Sequence, residues 1–234
     1  MRIRRSTERG LTAVGWLESY HTFSFGEYHD PAHMGFRTLR VVNDDRVAPG
    51  AGFGEHGHRD MEIVTVMLAG ALRHRDSTGA GAVLRPGDVQ AMSAGRGIRH
   101  SEMNDSRTET AHLLQIWIEP ERRGLEPRYS DRRFDPAEWR NAWRRLAGPA
   151  GDGADGALEI FQNAAIWRVR LDPGRRVARA LAPGRAAWLH VATGAVLAND
   201  VALAAGDGAA LDGPGTTVLE GREGGGEALL FDLG

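Results

Sequence analysis

Glu55-His56-Gly57-His58 and Arg99-His100-Ser101-Glu102 are the two stretches on which the reading of this chain turns. Each holds two potential donor side chains spaced i, i+2. Alternate residues of a β-strand share a face, so each pair aims both members into one cavity provided its backbone is extended. Three imidazoles and one carboxylate brought together in this way form a nitrogen-rich pocket. Such a pocket suits a divalent transition metal and leaves room for a further ligand.

The surrounding composition narrows the alternatives. The 234 residues suit one large or two small domains. With 41% hydrophobic and 26% charged residues, the chain has the balance of a soluble globular protein. A net charge of −2 gives no global argument for nucleic acid or an anionic membrane. There is no cysteine, which excludes disulfides, thiolate ligands, iron–sulfur clusters and thiol catalysis. All 29 basic residues are arginine, so Schiff-base chemistry and a P-loop lysine are excluded too. The basic start Met1-Arg2-Ile3-Arg4-Arg5 is not followed by an apolar segment, so a signal peptide is not expected. No apolar run approaches the ~18 residues of a membrane span. A cytoplasmic protein without a membrane partner is the expectation.

Glycine, at 31 residues, is scattered between short apolar runs, which favours many strands and tight turns over helices. Strands are expected over 38–43, 62–68, 82–84, 88–92 and 112–118. The run Ile63-Val64-Thr65-Val66-Met67-Leu68 is β-branched and nearly continuous in apolarity, as for a strand covered on both faces. After Pro120 the chain turns rich in arginine and acids in near balance, which reads as a solvated face and not as a nucleic-acid patch. Within it Asp135 suits an N-cap, Pro136 the first helical position and Glu138 a capping box, predicting a short helix over 135–141 with Trp143 and Leu146 left to a helix or a strand. Residues 148–156 form a turn-rich hinge, and strands resume over 158–161 and 166–171.

The two halves repeat weakly. Gly70-Ala71-Leu72 followed by Leu84-Arg85-Pro86-Gly87-Asp88 recurs as Gly194-Ala195-Val196 followed by Leu203-Ala204-Ala205-Gly206-Asp207. Aligning Gly70 with Gly194 sets Ala180, Ala182 and Ala186 opposite His56, His58 and Glu62, and nothing after Gly206 matches His100. Two all-β modules are expected, paired barrels or jelly rolls, the first with ligands and the second without.

The first module resembles the cupin superfamily. Gly50, His56, His58 and Glu62 follow its first motif; Gly87-Asp88, Gly95, His100 and Asn104 follow its second, with a longer gap before His100 and Ser93 in place of the usual proline. More specifically the chain resembles the pirins, a bicupin family with quercetinase-like bacterial members. The strings that carry this are His21-Thr22-Phe23-Ser24-Phe25-Gly26, Arg40-Val41-Val42-Asn43-Asp44-Asp45, Pro49-Gly50-Ala51-Gly52-Phe53-Gly54, His56-Gly57-His58-Arg59-Asp60-Met61-Glu62 and the segment from Ser93 to Glu102. The match is strong over about residues 10–125 and holds in outline beyond. It implies an all-β fold of two cupin domains: a metal-binding cupin over 1–120, a linker with a short helix over 121–157, and a cupin without metal ligands over 158–234. It also implies one iron-type metal held by His56, His58, His100 and Glu102.

Glu62 competes for the carboxylate position. It has the same strand parity as His56 and His58 and is the ligand position in many other cupins; the pirin resemblance favours Glu102. Among the other histidines, His21 is expected to hydrogen-bond within the core and His29 and His33 to be solvated. His74, between arginines, is expected on an exposed strand face, and His112 and His190 in satisfied core positions.

Three neutral imidazoles and a carboxylate leave a six-coordinate divalent ion about two open positions. Iron fits this donor set, as do Zn, Ni, Cu and Co. Glu102, as the ligand able to accept a proton, is the candidate general base. Phe53, Met92 and Trp117 are candidates to wall a pocket for a flat aromatic substrate. The resemblance implies a quercetin 2,3-dioxygenase-like oxidoreductase that acts on a flavonol and O₂. The alternative is a redox-sensitive metal-binding regulator with a protein partner and no turnover; a metal-dependent isomerase or hydrolase on the same scaffold, or a metal that only stabilises the fold, are further readings.

Overall fold

The structure is a computed structural model in which residues 1–152 and 155–234 are described. Part of the expected hinge at 148–156 therefore lies outside the described residues. The strands are β1 (Arg2–Arg4), β2 (Gly10–Val14), β3 (Leu17–His21), β4 (Leu39–Val47), β5 (Gly52–His58), β6 (Glu62–Ala69) and β7 (Leu72–Asp76). They continue as β8 (Gly81–Leu84), β9 (Asp88–Ser93), β10 (Ile98–Asn104), β11 (Ala111–Ile118), β12 (Arg128–Arg133), β13 (Arg144–Pro149) and β14 (Leu158–Ile160). The last are β15 (Ala164–Leu171), β16 (Arg176–Leu181), β17 (Ala186–Ala198), β18 (Val201–Ala204), β19 (Gly208–Leu211) and β20 (Gly215–Leu233).

Every strand expected from the sequence is present, within a few residues at its ends. The largest extension is β4, which runs on through Asp44 and Asp45 to Val47. The expected helix at 135–141 is instead a single 3₁₀ turn, Pro136–Trp139. Its start is as expected: Asp135 accepts from the Ala137 amide at 2.9 Å and Glu138 from the Asp135 amide at 2.9 Å. It stops early because Trp139 turns into the interior and Asn141 adopts φ +57°. Leu146 belongs to β13.

The chain condenses into two units that are not continuous in sequence. One comprises Gly10–Phe134 with Leu158–Gln162; the other comprises Met1–Arg9, Asp135–Ala157 and Asn163–Gly234. This departs from the continuous segments 1–120, 121–157 and 158–234. The arginine-rich β12 completes the first unit by pairing with β9, Arg128 opposite Ser93 and Arg133 opposite Asp88. Strand β1 enters the second unit by pairing with β19, Arg2 opposite Ala210. Hydrogen-bonded edge pairing needs only backbone groups, so polar composition gave no sign of either.

In the second unit a sheet runs β1-β19-β17-β20-β15-β13, with β16 also on β20 and β18 on β17. The long β17 and β20 pair along most of their length, with register shifts beside Thr193 and Gly194 that let so long a ribbon curl. Leu189, Val191, Leu230 and Leu203 fill its interior.

The first unit has two antiparallel sheets, β12-β9-β6-β11-β4-β3-β2 and β5-β10-β7-β8. In β6, Glu62 through Met67 are buried without alternation, as expected for a strand covered on both faces and flanked by β9 and β11. In β10 the alternation is clean: Ile98, His100, Glu102 and Asn104 are buried. In β7 the same period buries Leu72 and His74 and exposes Arg73 and Arg75.

The turn from β9 into β10 depends on Gly95. It adopts φ +47°, and a Cβ there would run into the backbone carbonyl of Leu125. Gly95→Ala is expected to cost more than about 2 kcal/mol in folding stability, read as a fall in the urea midpoint at unchanged m. A midpoint within error of the parent would show that the turn does not depend on Gly95.

Candidate metal centre

Strands β5 and β10 pair with His100 opposite His56, and the register then slips so that Glu102 lies opposite Phe53. Bulges of this kind re-aim side chains next to functional sites. Ahead of the slip the regular register brings His56, His58 and His100 together, and the slip itself re-aims Glu102. The Nε2 atoms of His58 and His100 are 2.9 Å apart, and those of His100 and His56 are 3.0 Å apart. His56 donates its Nδ1 proton to the Gly54 carbonyl at 2.8 Å, which fixes the tautomer with a bare Nε2 lone pair.

His58 and His100 are kept neutral. Burial pushes His100 down to about 3 and His58 down to about 4, and the neighbouring imidazoles push in the same direction. Neutral rings whose nitrogens face each other at this distance lack the protons to satisfy one another. An electrophile resolves that. Nitrogens about 2.1 Å from an ion and at right angles around it stand about 3.0 Å apart, which is the spacing observed. The residues therefore fit a transition-metal ion.

Glu102 is brought to the same wall but into a different grouping. With His100 and His74 it forms a second cluster of donor atoms within 4.8 Å of one another. Its carboxylate reaches across to the facing sheet, where Gln90 Nε2 donates to Oε1 at 2.7 Å and Gln115 Nε2 to Oε2 at 2.8 Å. Thr65 Oγ1 lies 3.4 Å from Oε1. Burial raises its pKa to about 7; nearby Asp45 adds to the rise and the three donors oppose it. Glu62, the competing carboxylate, accepts from Ser93 Oγ at 2.7 Å and from the Phe161 amide at 3.1 Å, and takes part in neither cluster.

The imidazoles and Glu102 line a cavity of about 520 Å³. Trp117, Phe53, Trp16 and Phe25 supply apolar walls; Thr12, His21, Asn43 and Asp45 supply a polar one. Met92, expected among the walls, packs with Ile63, Ala94 and Ile98 in a core cluster and does not line the cavity.

His74 corrects the sequence reading: it is fully buried. Its Nε2 pairs with Asp76 Oδ2 at 3.0 Å, its ring stacks on Tyr129 at 4.6 Å, and its Nδ1 lies 4.0 Å from Glu102 Oε1. The flanking arginines suggested exposure, yet strand parity with Leu72 was the better signal. His21 bonds Thr12 and Asn43 on the cavity wall; His33 pairs with Asp30, His29 is exposed, and His112 reaches Asp44 at 2.7 Å. His190 is buried. Among the described residues, both clusters of donor side chains lie in the first unit.

Barrels of this make, with imidazole donors on the inner wall of the first, define a two-domain cupin. The Pirin family model matches residues 2–118, and that of the quercetinase C-terminal cupin domain matches residues 149–233. The chain belongs to the pirin family. It is 43% identical to a protein named quercetin 2,3-dioxygenase from Escherichia coli (strain K12), over 99% of this chain and 97% of that one. A pirin-like protein of Caulobacter vibrioides is 42% identical over 84% of each chain. The crystal structure of the bacterial pirin YhhW from Escherichia coli in complex with nickel(II) matches with a TM-score of 0.92 at 42% identity, covering 99% of this chain and 98% of that one.

Asp45 gives the site a pH signature. Burial holds its carboxyl at about 7, against the bond from Ser19. An acid harder to ionise folded than unfolded binds its proton more tightly in the fold. Stability therefore falls as pH rises from about 4 to about 7, by about 1.4 kcal/mol per unit, and then levels. Asp45→Asn removes that slope. In metal-free protein the variant should gain on the parent across this window and keep the gain above it. Because Asp45 also raises Glu102, the gap includes a smaller Glu102 share of the same sign; denaturant melts at four pH values measure it, and a gap independent of pH would refute it.

Proposed function

We propose that this chain is a metal-dependent dioxygenase of flavonol type, with His56, His58, His100 and Glu102 as ligands of one transition-metal ion in the first cupin. The convergence of three Nε2 lone pairs on the wall of an aromatic-lined cavity of about 520 Å³ carries this reading. A volume in that range suits a flat molecule of drug size. Relatives named quercetin 2,3-dioxygenase and the nickel(II) complex of a pirin 42% identical to this chain support it. Iron is the metal assigned; Ni, Zn, Cu and Co share the donor preference.

When bound, the ion supplies a Lewis acid that favours the ionised form of a substrate hydroxyl and a redox partner for O₂. The chain's own residues do the rest. Trp117 and Phe25, edge to face at 5.3 Å, with Phe53 6.4 Å from the His56 ring, give a flat ring apolar surface and exclude water. The flavonol 3-hydroxyl passes its proton to a carboxylate oxygen of Glu102. Burial poises that group near neutrality, so it both takes the proton and returns it. Gln90 and Gln115 hold the carboxylate in place through the exchange. Net, one flavonol and one O₂ give one phenolic ester and one carbon monoxide.

Iron-loaded protein in air should bleach the flavonol absorbance, consuming O₂ and releasing carbon monoxide one for one. Glu102→Gln should retain metal and lose a factor of about 10² to 10⁴ in kcat, while His100→Ala should lose the metal. Metal-replete protein that leaves flavonols intact in air would defeat the proposal.

A further inference from the structure

The inner face of the seven-stranded sheet carries a polar row in register across five strands. Gln90 of β9 stands opposite Thr65 of β6, Thr65 opposite Gln115 of β11, Gln115 opposite Asn43 of β4, and Asn43 opposite His21 of β3. The first three are engaged with Glu102. The other two are not. His21 Nδ1 donates to Asn43 Oδ1 at 2.9 Å, because an amide oxygen can only accept, and Thr12 Oγ1 then donates to His21 Nε2 at 2.8 Å.

Two groups on this wall are left with open valences. The bond from His21 occupies the Asn43 carbonyl and turns its amide nitrogen outward. Ser19 Oγ donates to Asp45 Oδ1 and leaves Oδ2 free. Neither Asn43 Nδ2 nor Asp45 Oδ2 has a hydrogen-bond partner among the described residues, and both side chains line the cavity while 2% exposed. Neither atom is sealed off: the fully enclosed unpaired atoms elsewhere in the chain do not include them. A buried donor and a buried acid held open by fixed neighbours cost stability unless something in the cavity pairs with them.

We infer that Asn43 and Asp45 form a two-point recognition subsite for an aromatic ring bearing two hydroxyls in 1,3 relation, Asn43 donating to one oxygen and Asp45 accepting from the other hydroxyl. The spacing selects that pattern. Residues i and i+2 of a strand share a face about 6.6 Å apart. A 1,3 pair of hydroxyls diverges enough to meet both side chains. A 1,2 pair lies within hydrogen-bond distance of itself and presents a single point. The acid's high pKa agrees with a group kept from water. The inference deepens the flavonol reading by naming the ring that lies away from the metal ligands, and it rests on that reading for the identity of the whole substrate.

The test uses flavones that lack the 3-hydroxyl, so neither metal nor turnover is needed. Metal-free protein is titrated with flavone, 5,7-dihydroxyflavone and 3′,4′-dihydroxyflavone, following quenching of tryptophan fluorescence from Trp16 and Trp117 in the cavity wall. The 5,7 compound should bind at least about tenfold tighter than either other. Asp45→Leu and Asn43→Ala should each level the three affinities, with far-ultraviolet circular dichroism confirming the fold. Equal affinity for all three, preference for the 3′,4′ compound, or a preference that survives in either variant overturns the subsite. Should Asp45→Leu not fold, Asn43→Ala and the ranking on the parent protein decide. If the ranking holds while iron-loaded protein spares flavonols, the oxygenase reading fails and the subsite stands; the opposite pattern separates them the other way.

Discussion

Three imidazole nitrogens at about hydrogen-bond distance, with too few protons between them, are the constraint around which the first unit is organised. Neutral rings in that arrangement repel through their lone pairs unless an electrophile sits among them. The fold holds them there nonetheless. His100 lies directly opposite His56 in a four-stranded sheet, the register slip after His100 frees the next position, and the Gly54 carbonyl locks the His56 ring. Burial depresses the pKa values of His58 and His100 and so removes the simplest escape, protonation. The backbone thus supplies in advance the organisation a metal ion would otherwise have to impose.

Glu102 shows how the facing sheet contributes. Its neighbours on β10 would leave it a bare buried acid. Gln90, Thr65 and Gln115 come from three adjacent strands of the other sheet and supply the donors. Two opposing effects meet there. Desolvation favours the neutral acid, and the amide donors favour the carboxylate, leaving the group near neutrality. A carboxyl balanced in this way can be a ligand in one protonation state and a proton carrier in another. His74, stacked on Tyr129 and paired with Asp76, backs it from the side away from the cavity's aromatic walls.

Much of this was legible in the sequence, for a physical reason. Period-two alternation is rigid, so His56/His58 and His100/Glu102 were readable as inward pairs once the segments were read as strands, and β6 announced its double burial through Val64, Val66 and Met67. The same arithmetic buries His74 with Leu72, although the charge on Arg73 and Arg75 suggests an exposed face. What the sequence did not carry was pairing between strands. That β12 closes onto β9 and β1 onto β19 depends on backbone hydrogen bonds that no side chain advertises. Glu62 and Glu102 share inward parity on their own strands, and only the opposing neighbours set their surroundings apart: Ser93 and the Phe161 amide bond one, the glutamines the other.

Cross-strand register also explains why the polar wall escaped a linear reading. Asn43 and Asp45 sit in a segment, Asn43-Asp44-Asp45, that looks like the solvated end of a strand. β4 instead runs on to Val47 between β11 and β3 and carries all three inside. Burying two adjacent acids is costly unless each has its own answer. Asp44 turns to the opposite face, where His112 and Arg46 meet it. Asp45 has Ser19 on one oxygen and the cavity on the other. A sequence that tolerates such a pair in the middle of a sheet, on the strand next to the one that carries Gln115, has placed polarity where packing alone would have preferred a hydrocarbon, and the natural reason is a ligand with hydroxyls to receive.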